Sequence, residues 1–85
     1  MNQQGRVARL RRRLEGAREA RVGVLEAYLR ASGWTRRQTK GSHRAWVKEG
    51  RRTLVIPVHG TRVREYVIQQ VLEATSEESE DQGGD

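Results

Sequence analysis

WTRRQTKGSHRAWVKEGRRTLVIPVH, residues 34–59, decides the fold of this chain. Its apolar residues come in short β-branched or aromatic runs separated by glycine turns, which is the pattern of a strand meander. Trp34 to Lys40 is expected to form a first strand. Gly41-Ser42 makes a tight turn or bulge, and His43 to Lys48 a second strand with Ala45, Trp46 and Val47 inside it. Glu49-Gly50 signals a hairpin turn. Arg52 to His59 forms a third strand, in which TLVIPV suits a pleated, half-buried surface. Pro57 near its end suits an edge strand or a strand terminus, because proline has no N–H for the ladder. Leu54, Ile56 and Val58 share one face of that strand. The face of Trp46 is left open by the hairpin length, since a one-residue slip turns every side chain over.

Outward from this segment the period changes to that of helices. Val7, Leu10, Leu14 and Ala17 recur at helical spacing near 5–19, and Val24, Leu25, Tyr28 and Leu29 near 20–32. Gly16 and Gly23 weaken any single long helix. Ser32-Gly33 ends the second, with Gly33 as its left-handed cap. After the strands, Gly60-Thr61 opens a final helix with Thr61 as N-cap. Val63, Tyr66, Val67, Val71 and Ala74 are expected on its one apolar face. The predicted order is helix, helix, three strands, helix. This is an α+β class, with a two-layer arrangement of a three-stranded antiparallel sheet and helices on one face. Three segments follow: a basic helical extension at 1–19, a folded domain at 20–75, and an acidic, disordered tail at 76–85.

The 85 residues suffice for one domain with a thin core. The net charge of +6 is unevenly placed, because residues 1–75 hold all 17 Lys and Arg while five of the 11 acids fall in 76–85. A body this basic attracts polyanions through counterion release. Arginine dominates its cations and favours bidentate phosphate contacts. There is no cysteine, which excludes disulfides, thiolate zinc sites and a thiol nucleophile. Two histidines without a carboxylate cluster make a poor metal site, so no metal or other cofactor is expected. No apolar run is long enough to span a bilayer, and the first residues lack the apolar centre of a secretory signal. No membrane association is expected, and a cytoplasmic setting is.

The motifs Ser32-Gly33-Trp34, Gln38-Thr39-Lys40-Gly41-Ser42-His43 and Ile56-Pro57-Val58-His59-Gly60 together resemble the HicA toxin family, over about residues 22–74. The combination of Lys-Gly-Ser-His with Pro-Val-His carries the resemblance; either half alone is weak. The resemblance implies a fold like the double-stranded-RNA-binding domain. It implies an endoribonuclease toxin that cleaves mRNA with one catalytic histidine, matched here by His43, and a HicB-like antitoxin as protein partner. The sequence departs from the family where Glu65-Tyr66-Val67 stands in place of the Gly-Thr that opens the last helix, and in its basic N-terminal stretch and acidic tail.

The residues around His43 suit such chemistry. RNA can be cut without a metal because its own 2′-OH attacks the adjacent phosphorus. A histidine can take that proton or protonate the leaving 5′-oxygen. Gly41 and Ser42 allow backbone to approach a phosphate, and Arg37, Lys40 and Arg44 are candidate phosphate ligands. His59 has two readings: the acid partner of His43, since residues near 43 and 57 pair across the strands, or a residue that bonds local backbone. Ser42 is read as a turn hydroxyl and not a nucleophile. Trp34 and Trp46 suit the core better than a base-stacking surface. Two further function classes remain open at this point. One is a non-catalytic RNA-binding module of the same fold, and the other is a basic surface that only docks a partner protein.

Overall fold

The computed structural model describes residues 3–37 and 41–83. The chain runs α1 (Gln3–Leu14), β1 (Glu19–Arg21), α2 (Val22–Ala31), β2 (Thr35–Arg37), β3 (His43–Val47), β4 (Leu54–Pro57), β5 (Arg62–Arg64) and α3 (Glu65–Gly83). It is α+β. Strands β2-β3-β4 form an antiparallel sheet in sequence order, with the helices packed on it, as the hydrophobic pattern predicts. No helix among the described residues is long and apolar enough to cross a membrane.

A glycine-capped helix end sets where the sheet begins. The Gly33 N–H donates to the Arg30 carbonyl at 3.0 Å, and the Trp34 N–H to the Leu29 carbonyl at 2.9 Å. These bonds satisfy the last carbonyls of α2 and turn the chain into β2. Gly33 sits at φ +94°, and a Cβ there would lie 3.4 Å from Cε and Nζ of Lys48. The left-handed backbone alone penalises a β-carbon. Gly33→Ala is therefore expected to lower stability by about 1–2 kcal/mol, read as a lower urea midpoint at unchanged slope. An unchanged midpoint would contradict this cap.

The register answers the question of faces. Trp46 pairs with Leu54, Arg44 with Ile56, Ala45 with Val55, and His43 with Pro57. Direct partners share a face, so Trp46, Leu54 and Ile56 point together to the helices, and all three are buried. Val55, on the opposite face, is 47% exposed. The turn at Glu49-Gly50 is closed by the Arg51 N–H on the Lys48 carbonyl at 3.0 Å, and pairing resumes only at Leu54. The third strand is thus shorter than its β-branched run. Leu25, Tyr28 and Leu29 of α2 and Val67, Ile68 and Val71 of α3 complete the core with Trp34.

Two expectations need correction. The final helix does not open at Gly60-Thr61. Arg62-Val63-Arg64 is a strand, paired antiparallel with Glu19-Ala20-Arg21 as a second, two-stranded sheet. The Thr61 carbonyl accepts the first N–H of α2, from Val22, at 2.8 Å, which commits this corner to strand pairing. Likewise the first helix stops at Leu14, with Gly16 at φ +81° in the turn that follows. Helix α3 starts three residues later than expected, its buried stripe is Val67, Ile68, Val71 and Leu72, and Tyr66 is turned out at 60% exposure.

Helix α1 is tied to the body by one side chain as well as by the buried Leu14. Nη1 of Arg11 donates to the Tyr28 hydroxyl at 2.6 Å and to Oγ1 of Thr75 at 2.9 Å. Its Nη2 donates to the Leu72 carbonyl at 3.2 Å and to the Ser76 hydroxyl. One guanidinium thereby joins all three helices. Helix α3 continues past this point to Gly83, over part of the acidic stretch 76–85.

Candidate active site

His43 is the first residue of β3 and is exposed. Its position follows from the turn before it. Gly41 takes φ +73°, a conformation that glycine adopts without penalty. The Ser42 carbonyl then accepts the Val58 N–H at 2.7 Å, which pins the turn to the end of β4. Because His43 pairs with Pro57, its side chain lies on the face of the sheet away from the core. Arg37 pairs with Ala45, so it occupies the same open face, and it is exposed. Gly41 and Ser42 are also exposed, at the rim of this face. Lys40 lies outside the described residues.

Arg44 is placed differently from the other candidates. Successive strand residues alternate in direction, and Arg44, next to His43, points to the helix side. There its Nη1 donates to Oε2 of the buried Glu26 at 2.8 Å, and Arg36 reaches the same oxygen at 3.5 Å. Two sheet arginines thus neutralise one buried carboxylate of α2. A group held this way fastens α2 to the sheet, and its guanidinium is directed away from the His43 face.

His59 stands two residues past Pro57, the partner of His43, and is exposed. It forms an isolated bridge with Arg62, whose N–H approaches the His59 carbonyl at 3.4 Å. Both histidines therefore sit at the same end of the β3–β4 pair. Beside them opens a cleft of about 160 Å³, whose walls include Pro57, His59, Arg62, Arg64 and Tyr66. Arg62 is linked to Glu19 at 2.8 Å across β1 and β5. Arg62, Arg64 and Tyr66 were not among the sequence candidates. Their signal was the alternation Arg62-Val63-Arg64, a strand period that the helical reading had absorbed. Among the described residues no three His, Asp or Glu side chains are grouped closely enough to hold a metal ion.

The arrangement offers an imidazole open to solvent on a sheet face, with an arginine on that face and a basic cleft at its end. A family model described as the HicA toxin of bacterial toxin–antitoxin matches residues 24–76. The matched stretch runs from α2 into α3 and includes both histidines and the whole three-stranded sheet. No curated protein and no solved structure matches the chain significantly.

Proposed function

The chain belongs to the HicA toxin family of bacterial toxin–antitoxin pairs, and from that premise we propose that it is a metal-independent endoribonuclease that cleaves mRNA in the cytoplasm, with His43 as its catalytic residue. The observation that carries this reading is the exposure of His43 on the uncovered face of the sheet, at the His of the Lys-Gly-Ser-His motif. An imidazole on that exposed face is within reach of a phosphodiester in solvent.

In the reaction His43 takes the proton of a ribose 2′-OH. The 2′-oxygen forms a bond to the adjacent phosphorus, and the bond from phosphorus to the 5′-oxygen breaks. The 5′-oxygen leaves with a proton delivered by water or by His59. The products are a 2′,3′-cyclic phosphate and a 5′-hydroxyl end. Arg37 and Lys40 hold the phosphate and offset the charge that grows on it. The N–H groups of the Gly41-Ser42 turn serve the same oxygens. Arg44, engaged by Glu26, supports the sheet in this account and is removed from the phosphate ligands. The antitoxin is a HicB-like protein that covers the His43 face and so blocks access of RNA.

Inducible expression of wild type and of His43→Ala, read for growth and message integrity together, tests the reading. Wild type is expected to arrest growth and deplete full-length messages, and His43→Ala to do neither at equal protein level. Arrest of growth by His43→Ala with messages still degraded would overturn it.

A further inference from the structure

We propose that the cleft beside His59 is a subsite for one base of single-stranded RNA, stacked on the ring of Tyr66 with Arg64 on an adjoining phosphate. The proposal rests on the endoribonuclease reading for its substrate class and adds where that substrate lies.

Three observations carry it. First, Tyr66 is a large aromatic side chain left 60% exposed, in the first turn of a helix whose next apolar residues, Val67 and Ile68, are buried. Its ring forms part of the cleft wall and contributes little to the core. An aromatic face beside cations is the common platform for an unpaired base, because every base has a π-face to offer. Second, the cleft borders the strand pair that carries His43. Pro57 is both the cross-strand partner of His43 and a wall of the cleft, and His59 is another wall. A nucleotide bound there is joined through its own backbone to the phosphate in front of His43. Third, the walls carry the right charge. Arg62 and Arg64 alternate with the buried Val63, so both guanidinium groups leave the same side of β5, and the exposed Arg21 pairs with Arg62 on β1. Glu19 also lines the cleft, but it is linked to Arg62 and stands opposite Arg64 in the ladder, so against Arg21, Arg62 and Arg64 this patch keeps a net positive charge. The cleft volume of about 160 Å³ suits a single planar ring. A duplex keeps its bases stacked inside and cannot supply that ring.

The test is anisotropy titration of a labelled single-stranded RNA oligonucleotide and of its duplex form, with His43→Ala as the parent so that the RNA survives. Tyr66→Ala is expected to weaken single-strand binding about tenfold, to leave duplex binding unchanged, and to keep the thermal midpoint of the parent. Tyr66→Phe retains the ring and restores the affinity. Arg64→Ala is expected to reduce the slope of log affinity against log salt by about one. Unchanged single-strand affinity in Tyr66→Ala would overturn the proposal and leave the exposed ring to a protein partner. An equal loss on single strand and duplex would overturn it too. If the wild-type chain leaves RNA intact while binding still depends on Tyr66, the nuclease reading fails and the subsite stands.

Discussion

His43→Ala is expected to slow cleavage of a single-stranded RNA by roughly a hundred- to ten-thousandfold, the usual contribution of one acid–base group. The fall should appear in kcat and in kcat/KM alike, because the imidazole moves a proton only in the transition state. RNA binding should change little, because the proposed phosphate and base contacts belong to other residues. The exposed position of His43 keeps the substitution out of the hydrophobic core. No core contact is lost, and the pairing with Pro57 is a backbone matter. Circular dichroism and the urea midpoint should match wild type. A His43→Ala chain that cleaves at the wild-type rate with its fold intact would remove His43 from the mechanism.

The second large effect concerns stability. Trp46 is fully buried at the middle of the sheet, opposite Leu54, and Arg30 lies over its ring at 5.2 Å. Trp46→Ala should cost about 3–5 kcal/mol through lost burial and the cavity left behind. A domain of this size holds few kilocalories in reserve, so the variant should be largely unfolded at 37 °C. Trp46→Phe should be much milder. The indole N–H is buried without a hydrogen-bond partner among the described residues. Its removal therefore relieves an unsatisfied donor while the ring still fills most of the space. Thermal or urea unfolding followed by circular dichroism separates the two substitutions. Equal losses for Ala and Phe would mean that the indole makes a polar contact that matters more than its volume.

The three-stranded sheet was legible because its signals are local. β-Branched runs, the Glu49-Gly50 turn and Pro57 at the strand end mark it without tertiary information. The expected approach of residues near 43 and 57 appears as the pair His43–Pro57. The face of Trp46 could not be read, because Arg51 to Thr53 leave the ladder after the turn, and only a register settles alternation. Strands β1 and β5 escaped for another reason. Each has three residues, which is too short for a period to show, and each pairs with a partner more than 40 positions away in the chain. That omission moved the start of α3 and turned Tyr66 inward, so the cleft went unseen. The candidate site was legible as residue types around His43. It was not legible as directions: Arg37 shares the open face, while Arg44 turns to Glu26, a carboxylate 18 positions earlier in the chain. Such pairing across the chain leaves no trace in composition or spacing.

In the proposed reaction the exposed imidazole of His43 drives attack by the substrate's own 2′-OH. The most direct measurement is the chemistry of the new RNA ends after incubation of the purified chain with single-stranded RNA in EDTA. Wild type is expected to leave 2′,3′-cyclic phosphate and 5′-hydroxyl ends, and His43→Ala to leave the RNA uncut. Cleavage that stops in EDTA, or fragments bearing 5′-phosphates, would contradict it.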